Sequence, residues 1–212
     1  MRRMNRIRTG LFAMVALAAG WLGAASAEAA TVTQLNLTGG SIDLTLHVGS
    51  APPVHVGGNF TQPGLLIMGQ YQPPPNIFNP ITLDGHTFSI FTHPGPDLGN
   101  PLPVPTGETV GNTINVNLHG LFASIAGPFL NGALNIGTQA PNLATGSYNP
   151  TTGAFEISWV HLYSPAVQFM TTAEFTLEGT AQTAPVPAPA AVILFATGLA
   201  GLGGLARGCR SV

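Results

Sequence analysis

Thr172-Ala173-Glu174-Phe175-Thr176-Leu177-Glu178-Gly179-Thr180 is the stretch that decides the fold class. Ala173, Phe175 and Leu177 alternate with Glu174, Thr176 and Glu178. Successive side chains of a strand point to opposite faces, so this period of two makes a strand with one buried and one wet face. A helix of the same sequence would scatter both classes around its axis. The pattern recurs outward from this point. Thr113 to His119 sets Ile114, Val116 and Leu118 against Asn115, Asn117 and His119. Asn149 to Gly153 turns the chain into Ala154 to Tyr163, where Phe155, Ile157 and Trp159 share a face.

Further toward the N-terminus, Thr31 to Thr38 and Ser41 to Val48 read as strands joined by Gly39-Gly40, a two-residue hairpin signal. Asp84-Gly85 joins Ile81–Leu83 to Thr87–Phe91 in the same way. Leu121 to Leu130 fits a strand, a short helix or a loop equally well. Residues 94–107, with Pro94, Pro96, Pro101, Pro103 and Pro105, read as a long surface loop. Long amphipathic helices are missing from the pattern, and Gly, Pro and Asn punctuate it. The expectation is an all-β domain of about eight to ten short strands, an antiparallel sandwich or barrel.

The charge map frames that domain. The six basic residues are Arg2, Arg3, Arg6, Arg8, Arg207 and Arg210, and there is no Lys. All eight acidic residues lie between the two basic ends. Phosphate neutralisation needs Lys or Arg, so nucleic-acid binding is excluded as a role of the middle domain. Phosphoryl transfer loses its usual clamps, and Schiff-base chemistry has no Lys. The single Cys209 stands near the C-terminus, so no intrachain disulfide forms. The middle domain has to stand on its core alone, and at about 155 residues it is long enough to do so.

The N-terminus has the three parts of a secretory signal. Four Arg precede an apolar run from Leu11 to Leu22, and Ala25-Ser26-Ala27 supplies the small-residue cleavage site, with cleavage after Ala29 as the near alternative. Residues 1–27 are therefore expected to be a signal peptide, with signal peptidase as a partner, and 28–181 the β-rich extracytoplasmic domain. Residues 182–189 read as a Pro-rich stalk. Residues 190–206 read as one C-terminal transmembrane helix, about 25 Å long at ~1.5 Å per residue. Residues 207–212 read as a basic cytoplasmic tail, with Arg207 and Arg210 as the stop.

Val186-Pro187-Ala188-Pro189, the Gly- and Ala-rich span after it and the closing Arg pair together resemble the PEP-CTERM sorting signal, in a Val-Pro-x-Pro form. Ala188 stands where the name-giving motif has Glu. The resemblance covers about the last 25 residues and says nothing direct about the middle domain. It implies a Gram-negative, exopolysaccharide-producing source and an exosortase-like membrane processing enzyme that cuts near Val186 to Pro189. It also implies a passage through the inner membrane that ends at the cell surface or in the extracellular matrix.

No catalytic constellation is legible. Glu174 and Glu178 stand on the wet side of one strand about 13 Å apart, too far for a glycosidase pair. No metal centre is expected. The nearest approach to one is His86 with His93 and Asp84, whose spacing matches no standard ligand pattern. Ca²⁺ is the only cofactor with a conceivable place, near Asp97 and its neighbouring carbonyls. Trp159, Tyr163, Tyr71 and Phe91 are candidates for an aromatic platform for sugar rings, against a simple core role that the face of Trp159 favours. The reading that follows is a non-enzymatic surface or matrix protein, structural or adhesive in biofilm, with exopolysaccharide as a potential partner. A secreted polysaccharide-acting enzyme and a plain single-span anchored binding domain are its rivals.

Overall fold

The computed structural model describes residues 29–47, 52–95, 100–128, 130–163 and 170–184. Among them every regular element is a strand: β1 (Ala29–Leu46), β2 (Val54–Phe60), β3 (Gly64–Ile67), β4 (Ile81–Leu83), β5 (His86–Thr92) and β6 (Thr106–Val110), followed by β7 (Thr113–Asn117), β8 (Leu121–Ala126), β9 (Asn131–Asn135), β10 (Ala144–Tyr148), β11 (Ala154–Leu162) and β12 (Met170–Thr183). All pairings are antiparallel. Strands β1, β6, β7, β10, β11 and β12 pair in a ring, and the β1–β12 ladder closes it into a six-stranded barrel. A second sheet of four strands runs in the order β4-β5-β8-β9. Closure removes the open edges that an all-β protein otherwise has to protect.

β1 organises the molecule. One of its edges pairs with β12 from Val32 to Leu46. Its other edge is shared in turn by β6 at Ala29–Val32, β3 at Gln34–Leu37 and β2 at Gly40–Leu46. The hairpin expected at Gly39-Gly40 is not there: β1 runs straight through. Neither glycine has the positive φ that a tight two-residue turn requires. The register against β12 slips between Leu37 and Gly39 instead, a bulge that flips the buried parity from Leu35 and Leu37 to Ile42, Leu44 and Leu46. An earlier slip after Val32 flips it the other way. The glycines serve close approach, since a Cβ on Gly40 would collide with the Thr176 carbonyl and one on Gly39 with the Phe60 carbonyl.

Asp84-Gly85 does make its hairpin, with φ of 47° and 73°. Both values are positive, as a type I′ turn demands. Leu121–Ala126, open on sequence, is strand β8 at the centre of the second sheet. The expected loop of residues 94–107 gives up its last two residues to β6. β12 likewise runs on through Gln182 and Thr183, which pair with Gln34 and Val32, so the first part of the expected stalk is sheet. No helix among the described residues is long and apolar enough to cross a membrane, and the expected span at 190–206 lies outside them.

Both sheets contribute to one core. Leu35, Leu44 and Leu66 from the β1 region pack with Phe78, Phe88 and Ile90 from around the second sheet and with Ile114, Ile157 and Trp159 from the barrel wall. The alternation read from β7, β11 and β12 holds residue by residue: Ile114, Val116, Phe155, Ile157, Ala173, Phe175 and Leu177 are buried. The chain between β9 and β10 is stapled to the end of β11. Trp159 Nε1 donates to the Ile136 carbonyl at 2.7 Å, and His161 Nδ1 lies 2.6 Å from the Gly137 carbonyl. Gln139 meets the Leu162 backbone twice, Nε2 donating to its carbonyl and Oε1 accepting from its N–H, both at 2.9 Å. β10 covers β11 only over Phe155–Ser158, so these side-chain bonds continue the edge where the ladder stops.

Candidate functional site

The densest grouping of ionisable side chains lies on the wet face of the barrel. Asp43 on β1 is the direct cross-strand partner of Glu174 on β12, and Gly57 on β2 is its partner on the other side. The Gly57 N–H donates to Asp84 Oδ2 at 3.0 Å, which brings the tip of the β4–β5 hairpin to the same row. His55 Nδ1 stands 2.9 Å from Asp43 Oδ1. These residues, with Ser41, Asn59 and Thr176, line a groove of about 370 Å³. Gly57 and Gly58 hold φ of 147° and 141°, and a Cβ on Gly57 would run into the Ile42 carbonyl, so only glycine lets β2 lie this close.

The groove offers carboxylate acceptors, hydroxyls and one imidazole, and no fixed cation. Directly opposed like charges repel across a ladder, and His55, when protonated, relieves part of that repulsion. The side chains of His55 and Asp43 are 61% and 54% exposed, so water screens the pair and its contribution to stability is small. Glu156 and Glu178 form a second opposed carboxylate pair further along the barrel. Chemically the row is suited to hold hydroxyls or amines by hydrogen bonds.

The structure does not bring the metal candidates together. His86 and His93 are seven positions apart, an odd spacing that sends them to opposite faces of β5 and its continuation. His86 is fully buried with Nδ1 3.0 Å from the Asp84 carbonyl oxygen, while His93 is exposed and its Nδ1 accepts from the Gly95 N–H at 3.0 Å. The Asp84 carboxylate is turned to Gly57. Among the described residues no group of three or more His, Cys, Asp or Glu is arranged around a metal position. Asp97, the cleavage residues Ala25 and Ala27, the motif Val186-Pro187-Ala188-Pro189, and Arg207 and Arg210 lie outside the described residues.

The four aromatic candidates disperse. Trp159 is core, stacked on Phe175 with centroids 5.1 Å apart. Tyr71 donates its hydroxyl to the Leu102 carbonyl. Tyr163 packs on His161 at 4.5 Å, where burial raises the pKa of its phenol. Burial lowers the pKa of His161, partly opposed by its bond to the Gly137 carbonyl, so this imidazole is held neutral. Phe91 is half-buried beside a residue that sequence reasoning left unassigned: Phe122 on β8, its cross-strand partner, at 5.8 Å.

No model of a protein family matches the chain, and no curated protein or solved structure is significantly similar to it. The class is therefore defined by the fold itself, an antiparallel all-β protein built on a six-stranded barrel with a second sheet of four strands.

Proposed function

We propose that this chain is an exported protein, delivered by a PEP-CTERM-like signal to the cell surface or extracellular matrix of a Gram-negative bacterium, where it has a structural or adhesive role. One observation carries the reading: the ends of the barrel domain are fastened to each other just inside both processing points. Val32 pairs with Thr183, and the Ala184 N–H donates to the Thr31 carbonyl at 2.8 Å. A cut after Ala27 leaves β1 whole, since β1 begins at Ala29. A cut near Val186 to Pro189 leaves β12 whole, since β12 ends at Thr183. Removal of both targeting ends thus breaks no rung of the ladder that closes the barrel. What remains is a domain without Lys or Arg, which suits a scaffold or a neutral-polymer adhesin better than a handler of phosphates or nucleic acids.

Mass spectrometry of the protein recovered from the cell surface tests this. The expected form begins at Glu28 and ends between Val186 and Pro189. Recovery of a chain still ending at Val212 overturns the processing. A deletion strain that flocculates and forms biofilm like its parent overturns the adhesive role.

A further inference from the structure

No strand of the four-stranded sheet carries a fixed charge: none of β4, β5, β8 and β9 contains Asp, Glu, Lys or Arg, whereas β1, β6, β11 and β12 of the barrel all carry carboxylates. Its inner face is Phe88, Ile90, Ala123 and Ile125, all buried. Its outer face is laid out in rows by the register. Thr82, Thr87, Ala126 and Asn131 make the first row, and Ser89, Ser124 and Ala133 the second. The third is Phe91, Phe122 and Asn135, with His93 set edge-on against Phe122 at 5.8 Å. Neighbouring rows stand about 7 Å apart and neighbouring strands about 4.8 Å.

We propose that this outer face binds a neutral polysaccharide. The inference rests on the matrix role argued above and names its partner. Two features of the face match a sugar chain. Phe91 and Phe122 stack on each other with centroids 5.8 Å apart and an interplanar angle of 23°, and the pair forms a half-buried apolar ridge against which the C–H groups of a pyranose ring can pack. Beside it the hydroxyls of Thr82, Thr87, Ser89 and Ser124 make no side-chain hydrogen bond among the described residues, so they are available to sugar hydroxyls. Charge selects the class of polymer. An acidic glycan finds no cation here and meets the carboxylates of the neighbouring barrel. A cationic glycan is drawn to those carboxylates, around Asp43 and Glu174, and away from this sheet. Only an uncharged chain gains on the outer sheet without a competing site.

The test uses the full chain, purified in mild detergent, and measures retardation in gels carrying dextran, soluble starch, hydroxyethyl cellulose or alginate. Retardation by at least one neutral polymer and not by alginate is expected. Phe91→Ser/Phe122→Ser should weaken it at least ~10-fold, as loss of an apolar anchor does. Ser124→Arg, at an exposed position, should do the same while keeping the core and the unfolding midpoint intact. Glu178→Gln on the barrel should leave it unchanged. No retardation by any neutral polymer, equal retardation of Ser124→Arg, or stronger retardation by alginate overturns the inference. So does sedimentation showing that Ser124→Arg dissociates a dimer, because a second copy would then be the occupant. Fractionation of cells expressing Ser124→Arg separates the two readings. Normal surface delivery without binding by the wild-type chain refutes only the binding face; binding without surface delivery refutes only the sorting.

Discussion

Gly40 and His161 show how much of this fold hangs on single positions. Gly40 is where β1, just past its bulge, lies close against β12, and any Cβ there meets the Thr176 carbonyl and the backbone behind it. Backbone cannot swing aside as a flexible side-chain end can. Gly40→Ala is therefore expected to lower stability by about 1–3 kcal/mol, the usual cost of overpacking, read as a lower urea midpoint at an unchanged slope. His161 is buried against Tyr163 and bonded to the Gly137 carbonyl, and burial holds its pKa below the ordinary 6.5. Between that depressed value and 6.5 the unfolded chain takes up a proton that the folded chain refuses. Stability from this group is thus complete above 6.5 and falls as the pH drops through the window. Urea titrations at pH 7.5 and 5 should show a smaller acid loss for His161→Gln than for the parent. An equal loss in both would mean that the imidazole is not what the acid attacks. Trp159, buried in the core, reports the transition by its fluorescence.

At the scale of elements, the staple between the β9–β10 connection and β11 makes the next prediction. Gln139 acts as one more rung for Leu162, donating and accepting at 2.9 Å where β10 has already left the edge. Gln139→Ala should cost about 1 kcal/mol and, more tellingly, speed amide exchange at Leu162 while leaving Ile157 protected. Uniform acceleration along β11 would show that the strand opens as a whole. Strands of this kind were the legible part of the sequence. β7, β11 and β12 have one wet face each, so their period of two stands out, and Asp84-Gly85 announces a turn that needs two positive φ values. Gly39-Gly40 misleads for a physical reason: a bulge and a hairpin both interrupt the alternation and both favour glycine, and only the partners at Thr176 and Phe60 tell them apart. The acidic groove was not legible at all. Asp43, Asp84 and Glu174 come from three distant stretches, and the closure of the barrel brings β12 beside β1. The Phe91–Phe122 pair was hidden likewise, because Leu121–Ala126 showed no decisive pattern until β5 lay alongside it.

For the molecule as a whole, the decisive quantity is a charge that nothing inside the domain balances. Eight carboxylates and no Lys or Arg lie between Arg8 and Arg207. The fold sharpens the imbalance by setting Asp43 opposite Glu174 and Glu156 opposite Glu178 on the same barrel. At neutral pH this self-repulsion keeps copies apart and strains the compact state, so added salt should raise the melting temperature of the mature protein proposed above at pH 7, most steeply below ~0.15 M where screening is weakest. Acid works in the opposite sense on association. As the pH falls toward 5, a domain with eight carboxylates and six histidines takes up protons, so its net charge shrinks toward zero. His161 does not share fully in that titration, because burial holds it neutral further into the acid range, and the balance point lies lower than a count of all six histidines suggests. Once repulsion is gone, no Asp, Glu, Lys or Arg on the strands of the second sheet guards its outer face. Light scattering of the mature protein should therefore climb between pH 7 and 4.5 and fall again on return to pH 7. Ser124→Arg, which plants a charge in the middle of that face, should blunt the climb, whereas Glu178→Gln should shift it to higher pH by removing one repelling carboxylate. Scattering that stays flat across the range would mean that net charge is not what keeps the protein dispersed.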